Sequence, residues 1–574
     1  MRRRHDPSYH GLHLTSRALL GVCIVFGLSV APPPHARGDP PTRLTADRDL
    51  SSLDKGVPIE EQAPGSASVV DGELVWKTVF GGSGHGSAAA IAIDTAQNSI
   101  VVGQSEAGWG SPVRPYVGDW DAFVVKFDAN GTLVWNTFLG HVMMDTGEGV
   151  AVDHEGSIYV VGSSHVGWGS PVRPFTATDA HFEDAFVAKL DADGNLVWNT
   201  FLGGYERDYG LGIDVDLSGH ACVVGCSYGA WGSPVRPFAV GADGFVARLE
   251  ANGALAWSTF LGGPGHTETT GIGLDLGGAA YVGGWSDYTW GVPVRPFADS
   301  FDAFAAKLDA SGALIWNTFL GGTNMDTARG IAVGSGGNAY LLGSSLSGWG
   351  TPVRPFTPND PSCMGYLDAF AAKLDAGGEL VWNTFLGGGC EDGGDGITLD
   401  TSQNAYVAGV SSSGWGSPIK PFGGDYDGFV AKVDAGGALV WNTFLGGTSH
   451  DTANGVGSDG TGVLYVTGNC PGDWGGPGGE MYLAKLAHAP PGPTITQIKS
   501  KKAAKGSPAT LVGTGFSTTK ADNVVYFGKK KAEVKTARTT RLKVKIPKNC
   551  KKGKNNVYAV VNGVKSNVVT FTVK

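Results

Sequence analysis

Tryptophan recurs in two series with the same spacing, and this periodicity restricts the fold more than any other feature of the 574-residue chain. In the first series the tryptophan ends a Leu-Val-Trp-like segment, at positions 76, 135, 198, 257, 316, 382 and 441. The second lies in a Gly-Trp-Gly-Ser-Pro-Val-Arg-Pro-Phe-like segment at positions 109, 168, 231, 290, 349, 415 and 474. Both advance in steps of 59, 63, 59, 59, 66 and 59 residues, which indicates seven copies of one structural unit.

Each repeat contains four short segments with strand character, separated by turn residues. In one copy they are residues 149–153, 157–162, 184–190 and 196–202, which we name strands a, b, c and d. Strand d is apolar on both faces of its pleat, with Trp198 and Leu202 on one face and Val197 and Phe201 on the other. Such a strand needs cover on both faces. Four-stranded antiparallel sheets stacked around an axis provide it, so the sequence predicts an all-β fold, a seven-bladed propeller.

The order of the strands predicts how the ring closes. Seven d strands are present, but the first of them, at residues 74–80, precedes every a strand. The last repeat ends after its c strand, at residues 481–486. We therefore predict that residues 74–80 complete the last blade by pairing with residues 481–486, which removes the free edges of the ring.

The repeats resemble a known family. The segments DTGEGVAVDHEGSIYVVGSS at 145–164 and DAFVAKLDADGNLVWNTFLGG at 184–204 are similar to the SBBP β-propeller repeat of exported bacterial proteins. We place the propeller at residues 67–487. The resemblance implies a surface or envelope location and brings no established reaction.

Loop length distinguishes the two ends of the predicted propeller. In an antiparallel meander the a–b and c–d turns lie on one face, and the b–c and d–a connections lie on the other. The b–c connections are about twenty residues long, so we place any ligand surface on this long-loop face. Its tryptophans and cations either bind sugars, aromatic groups or anionic polymers, or pack within their own loops. The candidate ligand-binding residues are Trp109, Arg114, Trp168, Arg173, Trp231, Arg236, Trp290, Arg295, Trp349, Arg354, Trp415 and Lys420.

Acidic residues occupy the d–a connections, on the same face but nearer the axis. A ring of carboxylates can hold calcium or another cation, but such residues also accept hydrogen bonds from their own loops. We therefore assign no metal and no cofactor, and keep these residues as weak metal candidates. They are Asp145, Asp208, Glu268, Asp326, Asp392 and Asp451.

Cysteine usage is compatible with an exported protein. Cys222 and Cys226 lie four residues apart along a b strand, which is too far for them to bridge each other. Cys363 lies in an enlarged b–c loop and Cys390 in the following d–a connection. Both belong to the long-loop face, so a disulfide between them is a candidate.

No motif in the sequence nominates a catalytic group. Gly-x-Ser-x-Gly, His-Glu-x-x-His and phosphate-binding Gly-Lys-Ser/Thr segments are absent, as is a sialidase-type Asp box. The repeated Asp-x-x-Gly-x-Leu-Val-Trp segment looks a little like the docking motif of quinone-dependent dehydrogenases. Those propellers usually have eight blades and a Thr-Gly-Lys-type core, which this chain lacks. We expect a protein that is not an enzyme, with such a PQQ-like dehydrogenase or another propeller enzyme as the alternative.

Composition changes abruptly after residues 488–492, which we interpret as a linker. Residues 493–574 contain 17 lysines and two arginines against Asp522 and Glu533, whereas the rest of the chain has 24 basic and 51 acidic residues. Segments such as PTITQIKSKKAAKGSPATLVGTGFS and LKVKIPKNCKKGKNNVYAVVNG resemble the IPT/TIG domain, which implies an immunoglobulin-like β-sandwich used as an accessory module. The lysines either attach the protein to an anionic polymer, dock on the acidic propeller or solvate the module.

The N-terminal residues have the pattern of an export signal. Arginines at positions 2–4 and 17 precede the apolar run 18–31, which is too short for a membrane helix. We predict a signal peptide over residues 1–36 and a flexible lead-in over 37–66. The sequence thus predicts an exported, monomeric binding or scaffold protein of the cell surface or extracellular space. Its partner would be a glycan, an envelope protein or an anionic polymer, and nucleic acid is not expected.

Overall fold

A computed structural model of the chain describes residues 70–574 except 180, 359, 362, 364–366, 476–478, 488–492, 500–501 and 562–563. The predicted signal peptide, lead-in and linker lie outside the described residues. Within the described part of the chain, regular structure consists of β-strands and one short 3-10 helix, Ser335–Gly337.

Seven four-stranded antiparallel sheets form the propeller, which confirms the predicted fold. The chain begins with β1 (Leu74–Phe80). Blade 1 contains β2 (Gly86–Ile93), β3 (Ser99–Ser105), β4 (Asp121–Phe127) and β5 (Leu133–Leu139), and blade 2 contains β6 (Asp145–Val152), β7 (Ile158–Ser164), β8 (Asp184–Leu190) and β9 (Leu196–Leu202). Blade 3 contains β10 (Asp208–Val215), β11 (Ala221–Ser227), β12 (Asp243–Leu249) and β13 (Leu255–Leu261), and blade 4 contains β14 (Thr267–Leu274), β15 (Ala280–Ser286), β16 (Asp302–Leu308) and β17 (Leu314–Leu320). Blade 5 contains β18 (Asp326–Val333), β19 (Ala339–Ser345), β20 (Asp368–Leu374) and β21 (Leu380–Leu386), and blade 6 contains β22 (Asp392–Leu399), β23 (Ala405–Ser411), β24 (Asp427–Val433) and β25 (Leu439–Leu445). Blade 7 contains β26 (Gly455–Ser458), β27 (Leu464–Asn469), β28 (Met481–Leu486) and the initial strand β1.

The ring closes as predicted, through its first strand. β1 pairs antiparallel with β28, with Thr78 opposite Leu483 and Phe80 opposite Met481. The blade built from both ends of the propeller is therefore held by backbone hydrogen bonds between segments about 400 residues apart, a separation that makes its pairing depend on the whole ring.

The inner strands of neighbouring blades surround the axis. Ile213, Ile272 and Ile331 occupy the same position on three successive a strands and line a cavity of about 360 Å³. Asp214 lines the same cavity, where the corresponding residues of other blades include Ala92 and Ala151. At this level the lining thus combines apolar side chains with two polar departures from the repeat, Asp214 in blade 3 and Thr398 in blade 6.

The hydrophobic cores lie between blades. One cluster joins Val161 and Val187 of blade 2 to Val223 and Phe245 of blade 3, and each of these side chains is fully buried. Such burial of apolar area is the main stabilising contribution to a stacked-sheet fold. The predicted cover for both faces of strand d is incomplete, however, because Val197 is 56% exposed. The exposure is confined to the beginning of the strand, because Asn199 and Phe201, on the same face as Val197, are buried.

The a strands begin earlier than the sequence predicts. β6 starts at Asp145 rather than at residue 149, because Asp145 pairs with Ser164 and Gly147 with Gly162 before a bulge that precedes Gly149. The Asp-Thr-Gly composition of this segment is typical of a turn, which is why the prediction was wrong. The weak metal candidates Asp145, Asp208, Asp326 and Asp392 therefore start strands instead of lying in the d–a connections.

The C-terminal region is a β-sheet structure around its own core. Its strands are β29 (Thr494–Lys499), β30 (Lys502–Ala503), β31 (Pro508–Thr514), β32 (Asn523–Phe527), β33 (Lys530–Arg538), β34 (Arg541–Lys545), β35 (Gly553–Val561), β36 (Val564–Lys565) and β37 (Val569–Val573). β33 pairs with β32 near its start and with β34 further along, so it contributes to both halves of the structure. The two halves enclose Val525, Phe527, Leu542, Val544 and Phe571.

Candidate functional site

The six tryptophans of the candidate ligand-binding set are buried. Trp168 is 3% exposed and packs edge-on against Phe186 and Phe201, with ring centroids 5.2 and 6.0 Å away. Asn199 fixes the loop by donating from Nδ2 to the carbonyl of Trp168 at 2.8 Å. The other rings of this candidate set are no more than 9% exposed, namely Trp109, Trp231, Trp290, Trp349 and Trp415.

The cations of the same segments are engaged with the protein itself. Arg173 donates from Nη1 to the carbonyl of Phe201 at 2.8 Å and from Nη2 to that of Gly203 at 2.6 Å. Its guanidinium lies over the Trp231 ring of the next blade, 5.6 Å from the centroid. Lys420 makes the corresponding contact with Gly446. The same two carbonyl bonds and ring contact are made by Arg114, Arg236, Arg295 and Arg354.

The structure therefore places these twelve residues at the junctions between blades, where they pack. Ligand binding by these residues stays a prediction. The contacts described above are those expected of the alternative, in which the tryptophans and cations pack within the protein. The sequence alone could not distinguish ligand binding from packing. Each arginine contacts the tryptophan of the following blade, and this contact forms only when the blades are stacked.

The acidic candidates form part of buried carboxylate pairs. Asp208, the first residue of β10, accepts hydrogen bonds from Ser227 Oγ and from the backbone N–H of Gly204, the latter at 2.8 Å. Asp184, the first residue of β8, lies beside it, since a Cβ on Gly203 would be 2.6 Å from Asp208 and 2.8 Å from Asp184. Burial, with help from the Asp184 charge, raises the pKa of Asp208 to about 7. Arg173 lies near both carboxyl groups and opposes a bound cation there.

Such pairs recur at five blade junctions. In four of them the carboxyl group that starts an a strand has a raised pKa because of burial, and in the fifth the equivalent group, Asp451, lies four residues before β26. The carboxyl group that starts the preceding c strand is the neighbour in every pair. The pairs are Asp121 with Asp145, Asp184 with Asp208, Asp302 with Asp326, Asp368 with Asp392, and Asp427 with Asp451.

Glu268 does not belong to this set. Thr267 starts β14 at the position of the aspartates, and its Oγ1 lies 2.7 Å from Ser286 Oγ. Glu268 is the next residue along β14, so its side chain does not lie where the aspartates of the other blades lie. The sequence analysis aligned Glu268 with those aspartates, whereas Thr267 is the residue that replaces them.

Cys363 and Cys390 form a disulfide with a Cα–Cα distance of 5.4 Å. The bond joins the enlarged b–c loop of blade 5 to the connection before β22. Among the described residues, Cys222, Cys226, Cys470 and Cys550 are free and buried.

The main departure from the repeat pattern on the long-loop face is a cluster that sequence reasoning did not assemble. Cys226 ends β11 together with Ser227, while His266 and Glu268 flank the start of β14 in the next blade. Cys226 Sγ lies 3.9 Å from His266 Nε2, which lies 3.9 Å from Glu268 Oε2. The imidazole of His266 stacks on Trp285 with ring centroids 4.8 Å apart. Comparing each of these positions across the seven repeats shows that Cys226 and Glu268 depart from the pattern, but not that they meet.

A second distinctive surface lies on the C-terminal sheet β29–β31–β34–β33. Along β34, Leu542 and Val544 point into the core while Arg541, Lys543 and Lys545 are exposed. Lys543 lies in register between Thr510 of β31 and Thr536 of β33, and Thr510 in turn pairs with Lys499. We name this surface the basic face and define it by Lys499, Lys535, Arg538, Arg541, Lys543 and Lys545.

Charge on the basic face is nearly uncompensated within the sheet. Glu533 lies opposite Lys545 and forms an exposed ion pair with Lys535 at 2.5 Å. Asp522, the other acidic residue of this region, accepts a hydrogen bond from Ser517 outside the basic face. The strand alternation thus brings six basic side chains to one side of one sheet.

Comparison with known families identifies the C-terminal region. Residues 493–573 match the model of the IPT/TIG domain, which confirms that resemblance. The protein therefore combines a seven-bladed propeller with a C-terminal IPT/TIG domain. No helix among the described residues has the length and apolar character needed to cross a bilayer.

Similarity to individual proteins is more distant. The regulatory protein FlaEY of Caulobacter vibrioides is 28% identical over 319 residues, which are 49% of this chain and 32% of FlaEY. The match thus spans about a third of that relative's length. A fungal alcohol oxidase in complex with copper aligns over 88% of this chain and all of its own, with 13% identity and a TM-score of 0.38. The extracellular region of plexin A4 aligns over 85% of this chain and 60% of its own, with 8% identity and a TM-score of 0.41.

Proposed function

We propose that this protein is an exported binding or scaffold protein that attaches to anionic polymer of the cell surface through the basic face of its IPT/TIG domain. It acts by binding rather than by catalysis. The propeller is the displayed part, and its long-loop face is the surface offered to a further partner such as a glycan or envelope protein. The one-sided arrangement of the six basic side chains carries the proposal.

Several features of the basic face suit a polyanion. Lys543 and Lys545 alternate with buried core residues on one strand, so their ammonium groups project to the same side. Arg541 lies on the same strand, and other strands of the sheet add Arg538 from β33 and Lys499 from β29 to this surface. A row of cations on a sheet binds an anionic polymer chiefly because binding releases the counterions of the polymer. The affinity therefore depends little on the sequence of the polymer. The excess of acidic residues in the propeller disfavours binding of the same polymer there.

Heparin chromatography of the full chain tests the proposal, with heparin as the polyanionic probe. We expect retention at low ionic strength and elution as NaCl rises, since the Debye length falls to about 10 Å at 0.1 M salt. The triple variant K499Q/K543Q/K545Q should elute at clearly lower salt. A matched control, K502Q/K554Q/K574Q, removes the same charge from exposed positions outside the basic face. Failure of the wild-type protein to bind, or equal elution of the two triple variants, would contradict the proposal.

Export is tested separately. A reporter protein fused behind residues 1–36 should leave the cytoplasm, whereas the same fusion carrying R2E/R3E/R4E should be retained, because a positive n-region is part of a secretory signal. Retention of the unaltered fusion in the cytoplasm would rule out the predicted signal while leaving polyanion binding open.

A further inference from the structure

We infer that Cys226, His266 and Glu268 form a zinc site at the junction of blades 3 and 4, on the long-loop face of the propeller. The site is independent of the basic face. Its ligand set contains one thiolate, one imidazole and one carboxylate, which are the three donor types that proteins use for Zn²⁺. One coordination position would remain for water or for a group supplied by a partner.

The geometry of the donor atoms fits one metal ion. Cys226 Sγ, a ring nitrogen of His266 and a carboxylate oxygen of Glu268 all lie within 4.8 Å of one another. Bond lengths of about 2.3 Å to sulfur and about 2.0–2.2 Å to nitrogen and oxygen place tetrahedral ligands roughly 3.3–3.6 Å apart. The two distances of 3.9 Å that His266 Nε2 makes with the other donors are therefore a few tenths of an ångström from this value.

The surroundings hold the imidazole in place. His266 stacks on Trp285 with an interplanar angle of 15°, and Tyr228 meets its ring edge-on at 5.8 Å. The backbone N–H of His266 donates to Asp287 Oδ1 at 2.6 Å. A ligand fixed by neighbouring side chains loses little conformational entropy on binding metal.

One of the three donors is buried and the other two are partly exposed. Cys226 is 1% exposed, while the side chains of His266 and Glu268 are 31% and 29% exposed. The sulfur thus forms the floor of the site, and the nitrogen and oxygen donors face its opening. An ion can enter from solvent, and the buried thiolate then gains a cationic partner.

Internal repetition supplies an independent comparison. At the position of Cys226 the other blades have Gln104, Ser163, Trp285, Ser344, Val410 and Asn469. At the position of Glu268 they have Ser87, Thr146, Tyr209, Thr327, Gly393 and Thr452. A cysteine at the first position and a carboxylate at the second each occur in a single repeat, and the two substitutions meet across one blade junction. Histidine at the third position also occurs as His85 and His450, but without these partners.

Metal binding by the untagged full chain tests the inference. Protein stripped with a chelator should take up one Zn²⁺ per chain from ZnCl₂ in competition with a chromophoric indicator. C226S, H266Q and E268Q should each weaken uptake by at least about tenfold, since loss of a ligand should cost no less than loss of a residue that merely orients one. H450Q is the matched control, because His450 occupies the corresponding position two residues before Thr452 in blade 7, and it should bind like the wild type.

Cobalt identifies the sulfur donor. Co²⁺ loaded into the wild-type chain should give a thiolate-to-metal charge-transfer band that Zn²⁺ removes and that C226S lacks. Each variant is first compared with the wild type by thermal unfolding in the presence of chelator, and E268Q, at a half-exposed position, serves if C226S does not fold. Absence of stoichiometric zinc uptake, or uptake that C226S and E268Q leave unchanged, would overturn the inference.

Discussion

The indole N–H of Trp135 donates to the backbone carbonyl of Ala192 at 3.1 Å and so joins the outer strand of blade 1 to the c–d turn of blade 2. The same bond recurs at four further junctions, from Trp198 to Ala251, Trp257 to Ala310, Trp316 to Ala376 and Trp382 to Ala435. At the closing blade Trp441 donates instead to the Asp71 carboxylate at 3.0 Å, because there the turn is replaced by the entry into β1. The outer strands of blades 1 to 6 are thus each linked to the next blade by an indole N–H.

This contact depends on a glycine in the receiving turn. Gly194 has φ +85°, and a Cβ at this position would lie 2.8 Å from the Trp135 ring. We expect G194A to lower the free energy of unfolding by about 2–5 kcal/mol, from backbone strain of roughly 1–2 kcal/mol and overpacking of roughly 1–3 kcal/mol. Urea unfolding followed by tryptophan fluorescence measures the change.

Gly156 provides the matched control for this prediction. Its φ is +86°, but the nearest atom to an added Cβ is 3.8 Å away. G156A should therefore show the backbone contribution alone, about 1–2 kcal/mol. Equal destabilisation by G194A and G156A would show that the fit between Trp135 and the turn is unimportant.

The architecture could be predicted because it depends on periodicity within the chain. The spacing of Trp135 and its equivalents fixed the number of blades, and the surplus segment at 74–80 fixed the closure. The surroundings of Trp168 could not be predicted in the same way, because Arg114 reaches it from the preceding blade. Likewise, Cys226 and His266 are 40 residues apart and meet only once two blades are stacked. Predicting contacts between repeats requires knowing how neighbouring blades stack on each other. The repeat pattern of the sequence does not specify this.

The arginines of the long-loop segments should act mainly on stability. R173A removes two hydrogen bonds to backbone carbonyls and leaves the Asp184–Asp208 pair without its neighbouring cation. We expect a loss of about 2–4 kcal/mol, less than for a fully buried ion pair because Arg173 is half-buried. R173K should lose about 1 kcal/mol, since it keeps the charge and one carbonyl bond, as Lys420 does at the same position of blade 6. Thermal unfolding of both variants checks the ranking, and equal effects of lysine and alanine would contradict it.

The disulfide of blade 5 should contribute measurably to stability. Cys363 and Cys390 are 27 residues apart, for which the loss of unfolded-state entropy gives a stabilisation of up to about 3–4 kcal/mol. C363S/C390S should therefore unfold at lower temperature than the oxidised wild type. Reductant should lower the melting temperature of the wild type towards that of the variant and leave the variant unaffected. Identical melting of the oxidised wild type and the variant would contradict the prediction.

The buried carboxyl pairs predict an unusual dependence of stability on pH. Burial raises the pKa of Asp208 from 3.8 to about 7, so the folded chain holds this proton more tightly than the unfolded chain does. The resulting stabilisation is complete below the unfolded pKa, near pH 4, falls progressively as the pH rises from there towards the folded pKa, and is lost above about pH 7. Replacement by asparagine removes the titration, and its amide can donate to Ser227 Oγ while its oxygen accepts from Gly204. We expect D208N to be more stable than the wild type at pH 8 by about 2–4 kcal/mol, by less than half of that difference at pH 5, and close to it only near pH 4.

Urea unfolding at pH 5, 6, 7 and 8 gives the difference in free energy of unfolding between the wild type and D208N. The difference isolates Asp208, because Asp145 and Asp326, whose pKa values are also raised to about 7, titrate equally in both proteins. D191N is the control. Hydrogen bonds from Asn195 lower the pKa of Asp191 despite the opposing effect of burial, so this substitution should bring no gain at pH 8. If the stability curves of D208N and the wild type run parallel from pH 5 to 8, Asp208 does not carry the proton that its surroundings predict, and another member of the pair holds it.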